Sequence, residues 1–337
     1  MLISLTLQYS TREYKQKNPL SLVYDAQKVL FLHIFRVCFF TFCEQVLIFF
    51  VYCCTMMKQK DGRGDKMYRK QETVIFSLCI LLACQMITSM FVPNVQNQLL
   101  HSAVSLFTYA VCLSAPTFFL TFKCNVYKDE NVYPKKPIAC AVFCAGVIYF
   151  GNAFSIFLSH IFVTFGLHVP SGITTYTEIP AIILSFINFV LLPPILEELL
   201  VRRYILSHLL PYSKTQAVIF STLVFGFFHM NLLQIPFALV CGFIFGYFTV
   251  KTSSVKFSVT MHFLNNLVAF ILSYHPLPDS QTLSFAVWIP TLIATVVSAI
   301  VLYKNGYFRE KMQLPDCSTL SLVYFAVCLF VGCLTAR

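Results

Sequence analysis

Charged residues are scarce in this sequence. Asp, Glu, Lys and Arg make up only 11% of the 337 residues, whereas 58% are hydrophobic. A soluble domain usually has about 25% charged residues and needs them to cover its core. The composition therefore excludes a soluble globular protein. It predicts an all-α polytopic membrane protein, because helices satisfy their own backbone polar groups in lipid.

Polar linkers and internal repeats are also missing, so one continuous membrane domain is expected. Ten apolar runs are long enough to cross a bilayer as helices. They lie at 31–56, 74–93, 103–122, 137–165, 179–196, 215–230, 233–250, 255–273, 283–303 and 319–335. Because the last run is weakly flanked and 233–250 follows its predecessor after a very tight turn, we expect a bundle of about eight to ten transmembrane helices.

Lys and Arg are absent from every second loop of this arrangement. The loops without them lie near 94–102, 166–178, 231–232 and 274–282. Eighteen of the 24 basic residues lie in the alternate loops, at 57–73, 123–136, 202–214, 251–256 and 304–318. The positive-inside rule places this second set in the cytoplasm, although the basic residues between 12 and 36 do not fit that pattern. The net charge of +10 is thus mostly a membrane signature, and no nucleic-acid partner is expected.

Cysteine and metal-ligand patterns are lacking too. The fourteen cysteines form no CxxC pair, and the chain contains no HExxH sequence. Most of the cysteines lie inside apolar runs, where buried thiols behave as small hydrophobic side chains. We therefore expect neither a disulfide framework nor a bound cofactor.

Adjacent carboxylates occur inside one apolar run, at Glu197 and Glu198. Charge at membrane depth costs several kcal/mol and needs a partner or a function. Arg202 follows Glu198 by four residues on the same helical face, which predicts an ion pair, whereas Glu197 is rotated about 100° away. Pro193 and Pro194 are predicted to break the incoming helix and start a new one. Both glutamates would then lie near its first turn, where the helix dipole favours negative charge.

Two histidines lie in the later apolar runs. His229 is near the end of 215–230, and on its own it is as typical of a hydrogen-bonded packing residue as of a functional one. His262 lies in the middle of 255–273, and Asn266 follows it by four residues on the same face. Two polar side chains then point to one place, which favours a site.

Three motifs therefore follow one another in a fixed order. They are Glu197-Glu198-x-x-x-Arg202, Phe225-x-x-x-His229 and His262-x-x-x-Asn266. This trio resembles the CAAX-protease and bacteriocin-processing (CPBP) family of intramembrane glutamate endopeptidases, in which each motif lies on its own transmembrane helix. The resemblance covers about 178–271 and implies a four-helix catalytic core there. It leaves 1–177, with an N-terminal tail, and 272–337 as membrane segments of unassigned role.

The resemblance implies hydrolysis of a membrane-associated peptide or protein by an activated water molecule. Glu197 is the candidate general base, and His229 is a second contact to the water. His262 and Asn266 are candidate donors to the oxyanion. No serine or cysteine is expected on a face with these groups, so a covalent mechanism has no obvious nucleophile.

Other residues of the motifs would support this chemistry. Glu198 with Arg202 would hold the helix and tune the local field, and Phe225 and Phe228 would supply an apolar wall. Gly242 and Gly246 have the spacing that lets helices approach closely, which predicts packing of 233–250 against a catalytic neighbour. The stretch 225–256 also resembles bacterial members, so a bacterial cell membrane is expected.

Three alternatives stay open at this point. Two glutamates and two histidines could bind zinc in a membrane metalloprotease, although they lack the usual close ligand spacing. A non-catalytic immunity or scaffold protein could bind a peptide or partner through the same cavity. A transporter could use the buried carboxylates for ion coupling, but no inverted repeat is detectable.

Overall fold

Helices dominate the computed structural model of this protein. The structure describes residues 74, 76–78, 80, 81, 84, 85, 95–123, 134–164, 174–211, 214–229, 234–275 and 281–309. Seven long helices run through them: α1 (Gln98–Lys123), α2 (Pro137–Thr164), α3 (Ile179–Leu209), α4 (Lys214–Phe227), α5 (Gln234–Thr252), α6 (Lys256–Tyr274) and α7 (Gln281–Lys304). The described residues between 74 and 85 are also helical, and no strand occurs within these ranges. The all-α prediction is confirmed for this part of the chain.

Six of these helices, all except α4, are long and apolar enough to cross a membrane. The helices α2, α5, α6 and α7 begin and end within two residues of the predicted runs. The predicted first and last runs, 31–56 and 319–335, lie outside the described residues. The protein is therefore a multi-pass membrane protein with six candidate membrane-spanning helices in its described part, and the total of eight to ten stays a prediction.

The helix α3 is continuous through its two prolines, so the predicted helix break at Pro193 and Pro194 is wrong. A π-helical turn at Ile187–Leu191 precedes the prolines, and a second π-helical stretch follows at Leu199–Leu206. Leu192, immediately before Pro193, keeps helical dihedral angles of φ −72° and ψ −46°. The wider turn accommodates rings that would clash with the preceding turn of an α-helix. Since the glutamates lie in the middle of a 31-residue helix, the helix dipole does not explain their charge.

The inner helices are α3, α4, α5 and α6; α3 and α5 pack on each other, and α4 and α6 each pack on both of them. The Gly242 and Gly246 pair of α5 faces α4, as predicted. A Cβ atom on Gly242 would lie 3.3 Å from the Thr222 carbonyl oxygen, and one on Gly246 would lie 3.5 Å from Ser221 Oγ. The helix α1 packs on α3, α2 packs on α5, and α7 packs on α2 at the outside.

One end of the inner helices gathers two of the loops predicted to be cytoplasmic. Arg203 and Lys214 from 202–214 line the same surface pocket as Ser253 and Val255 from 251–256. Both loops therefore lie at one end of the bundle, as the pattern of basic residues predicts.

Candidate active site

A cavity of about 360 Å³ lies among the inner helices and brings the three motifs together. Glu197 of α3, His229 just after α4, and His262 and Asn266 of α6 all line it. The helices α1 and α2 also contribute lining residues, so the wall extends beyond the four helices that carry or join the motifs. Glu198 and Arg202 are completely buried and lie outside the lining.

The Glu197 carboxylate is held differently at its two oxygens. Its Oε1 accepts a short hydrogen bond from the Tyr109 hydroxyl of α1. Its Oε2 lies 3.9 Å from His262 Nε2 and 4.0 Å from His229 Nε2, and no side chain or backbone group of the described residues bonds to it. These gaps are too long for direct hydrogen bonds but short enough for a water molecule to bridge Oε2 to either nitrogen.

The orientation of His229 is fixed by the end of α4. Its Nδ1 lies 2.6 Å from the Phe225 carbonyl oxygen. A carbonyl can only accept, so Nδ1 carries the proton, and in the neutral ring Nε2 is an unprotonated acceptor that faces the gap to Glu197. The ring of Phe228 stacks on the imidazole at 4.5 Å, and this contact holds the plane of the ring.

His262 contacts both glutamates. Its Nδ1 lies 3.1 Å from Glu198 Oε1, and the carboxylate must be the acceptor in that bond while it is ionised. The Nε2 atom then faces Glu197 and the cavity. Because Nδ1 already uses one proton, Nε2 can donate to an oxyanion only while the ring carries both protons.

The predicted ion pair between Glu198 and Arg202 is present. Arg202 Nε lies 3.3 Å from Glu198 Oε2, with both side chains fully buried. The guanidinium also donates from Nη2 to the Gly242 carbonyl oxygen at 3.2 Å and lies 4.2 Å from the centre of the Phe225 ring. Arg202 thereby joins α3, α4 and α5 behind the cavity, and Glu198 connects this buried pair to His262.

Asn266 is tied to the proline segment of α3. Its Nδ2 donates to the Phe189 carbonyl oxygen at 2.9 Å. In an α-helix that oxygen would accept from residue 193 and in a π-turn from residue 194, but both are prolines without an N–H group. Asn266 replaces the missing backbone donor, and the second N–H of its amide is left for the cavity. Asn265 donates to Asn266 Oδ1 at 3.0 Å and also lines the cavity.

Several lining residues carried no signal in the sequence. They are Gln85, Tyr109, Asn152, Asn188 and Cys241. Each is a single polar or thiol side chain without a motif, and only the packing of distant segments brings them together. The position of Cys241 corrects the expectation that no cysteine shares a face with the catalytic candidates.

No group of three or more His, Cys, Asp or Glu side chains in the described part of the chain has an arrangement that could hold a metal ion. The four candidate zinc ligands of the sequence are instead engaged with Tyr109, Arg202 or a backbone carbonyl, or with one another. Independence from metal stays a prediction.

Residues 179–268 match the family model described as Type II CAAX prenyl endopeptidase Rce1-like. The match coincides with the region 178–271 and confirms the resemblance drawn from the three motifs. It gives no support to a bacteriocin immunity function. Neither a curated protein nor a solved structure matches the chain.

Proposed function

We propose that this protein is an intramembrane endopeptidase in which Glu197 activates the water that attacks a peptide bond. The observation that carries the proposal is the position of Glu197 Oε2, which faces the Nε2 atoms of His229 and His262 at 4.0 and 3.9 Å inside a cavity. A general base needs its substrate proton within reach directly or through one water molecule. The family match of 179–268 supports the same class of reaction.

The proposed reaction begins with proton transfer from water to Glu197 as the water oxygen bonds to the peptide carbonyl carbon. His229 Nε2 accepts the second water hydrogen in a hydrogen bond and orients the oxygen for attack. The carbonyl oxygen becomes an oxyanion, which accepts from the second N–H of Asn266 and from doubly protonated His262. The C–N bond then breaks, and Glu197 returns its proton to the leaving amine.

The substrate is proposed to be a membrane-associated peptide or protein. Two amide side chains of the cavity wall, Asn152 and Gln234, can pair with the backbone of an extended peptide. A prenylated CAAX peptide is the substrate named in the description of the matching family, and it is the first to test. The bacterial cell membrane stays a prediction from the stretch 225–256.

Cleavage of a farnesylated CAAX peptide by the purified protein in detergent tests the proposal. Glu197→Gln keeps size and polarity but removes the base, so turnover should fall about 10²–10⁴-fold with unchanged thermal stability. Glu178→Gln is the matched control, because Glu178 is an exposed carboxylate immediately before the same helix. Full activity of Glu197→Gln would refute the proposed base.

Chelation separates this mechanism from a metalloprotease. Activity should persist after treatment with a strong chelator, and the purified protein should contain no stoichiometric zinc. Loss of activity that one added metal restores would favour the metal-dependent alternative.

Cys241 offers the test against a covalent mechanism, since its side chain lines the cavity. Cys241→Ala should retain turnover, and the wild-type enzyme should resist thiol alkylation. An inactive but folded Cys241→Ala protein would indicate nucleophilic catalysis instead.

A further inference from the structure

Tyr109 is the contact to Glu197 that comes from outside the matched region 179–268. It lies on α1, 88 residues before the glutamate, and its hydroxyl donates to Glu197 Oε1. Its side chain is half-buried and lines the cavity. No other hydrogen-bond donor to this carboxylate is found among the described residues.

A single donor has a geometric consequence for the carboxylate. The terminal torsion of a glutamate side chain is broad and roughly two-fold, so the two oxygens could exchange places or rotate away from the histidines. With Oε1 bonded to Tyr109, Oε2 is the oxygen that faces His229 and His262. The phenol thus decides which lone pairs face the water site.

The same face of α1 makes a second polar contact with α3. Ser105 lies four residues before Tyr109, and its Oγ accepts from Asn188 Nδ2 at 3.1 Å. Residues four apart share a helical face, so α1 presents two hydroxyls to α3. The Ser105 contact joins the same two helices without touching Glu197, and it provides a matched comparison.

We propose that Tyr109 is a positioning residue that orients the Glu197 carboxylate for attack on water. The proposal rests on the proposed peptidase function for its kinetic consequence but not for its structural one. Removal of the hydroxyl leaves the substrate contacts of the cavity in place and frees the carboxylate to rotate. The rate constant for cleavage of bound substrate should therefore fall, while the affinity for substrate should stay unchanged.

The kinetic test compares wild type, Tyr109→Phe and Ser105→Ala with the farnesylated CAAX peptide in detergent. Tyr109→Phe should lower kcat about 10- to 100-fold, which is the rate equivalent of one hydrogen bond to a charged group. Its KM and its thermal unfolding temperature should stay near the wild-type values. Ser105→Ala should keep the wild-type kcat. An unchanged kcat in Tyr109→Phe, or equal losses in both variants, would show that Tyr109 only joins the helices.

A chemical readout makes the test independent of turnover. The carboxyl reagent dicyclohexylcarbodiimide labels membrane-embedded carboxyl groups, and mass spectrometry of peptides reports modification at Glu197. Tyr109→Phe should label faster than wild type and Ser105→Ala at the wild-type rate, because only the first frees Oε1. Equal labelling in all three proteins overturns the positioning role. A different outcome is faster labelling in Tyr109→Phe together with wild-type activity in Glu197→Gln. It would show that Tyr109 orients the Glu197 carboxylate and would refute the proposed peptidase function instead.

Discussion

The helices α5 and α7 are both apolar enough to cross a membrane, yet they occupy opposite environments. In their apolar windows, 56% of α5 is buried inside the protein, against 11% of the α7 segment Ala286–Lys304. The helix α5 packs against α2, α4 and α6, whereas α7 packs against α2. The apolar run predicts a span in both cases, but it does not tell which span surrounds a site.

Buried charged side chains distinguish the inner helices from α7. The inner helices bury Glu197, Glu198 and Arg202, each with a partner. The helix α7 exposes large apolar side chains around its surface, including Trp288, Leu292, Val296 and Ile300. Lipid solvates such side chains without cost, whereas a charge at the same depth requires a protein partner. The polar side chains therefore identify the functional interior of this bundle.

The largest difference between the two regions should appear at a pair of asparagines. Asn266 Nδ2 donates to the Phe189 carbonyl oxygen at the cavity, and Asn305 Nδ2 donates to the Val301 carbonyl oxygen at the exposed end of α7. Asn266→Ala should lower turnover about 10²–10³-fold, since it removes a proposed donor to the oxyanion. Asn305→Ala should have no effect. The cleavage rate of each variant is measured in single-turnover experiments, and its peptide affinity is measured at equilibrium.

The binding measurement also tests the role assigned to Asn266. If Asn266→Ala weakens peptide binding and leaves the cleavage rate of bound peptide unchanged, the amide binds the peptide in its ground state and does not stabilise the transition state. Loss of both stability and activity would indicate that its bond to Phe189, which compensates for the two prolines, is its main contribution.

Two arginines allow a second, smaller comparison. Arg202 is fully buried, with an ion pair to Glu198 and a hydrogen bond to the Gly242 carbonyl oxygen, whereas Arg309 is exposed beyond α7. Arg202→Lys keeps the charge but loses the planar fork and its stacking on Phe225. It should destabilise the protein by about 1.5–3 kcal/mol, the value of one hydrogen bond to a charged group. Unfolding by SDS in mixed micelles measures the change in unfolding free energy. Arg309→Lys should leave that free energy unchanged.

Equal stability of Arg202→Lys and wild type would mean that an ammonium satisfies this site. The buried cluster would then need only a positive charge, and the geometry of the guanidinium would be dispensable.

The sequence predicts the spans of this fold more fully than it predicts the shape of α3. Apolar runs locate α2, α5, α6 and α7 to within two residues because lipid contact demands apolar side chains along the whole span. The path through Pro193 and Pro194 was mispredicted, because the proline rule is local. Here a π-turn makes room for the rings, and Asn266 supplies a donor to Phe189. Such compensation depends on a helix more than seventy residues away.

Prediction of the site from the sequence is likewise limited to contacts within one helix. Spacing along one helix predicts the ion pair of Glu198 and Arg202, which are four residues apart. It cannot predict the contact of His262 with Glu198 across 64 residues, or that of Tyr109 with Glu197 across 88. A single tyrosine in an apolar helix has no local pattern, and only packing of α1 against α3 gives it a partner.

A matched pair of leucines tests the contrast through packing alone, and its lipid-facing member should show a very small effect. Leu200 of α3 is completely buried, and Leu292 of α7 is 52% exposed. Leu200→Ala leaves a cavity between packed helices and should cost about 2–5 kcal/mol of unfolding free energy. At an exposed position lipid or detergent chains fill the space that a smaller side chain leaves, so Leu292→Ala should change stability by less than about 0.5 kcal/mol. Both values come from the same SDS titration, and Leu200→Ala shows that the titration detects packing defects.

If Leu292→Ala proves as damaging as Leu200→Ala, lipid does not cover this face of α7. Sedimentation of wild type and Leu292→Ala would then test whether a second copy covers it, because loss of an interface side chain would shift the protein toward the monomer. Equal stability and equal sedimentation of Leu292→Ala and wild type would establish α7 as a lipid-facing helix and complete the contrast with α5.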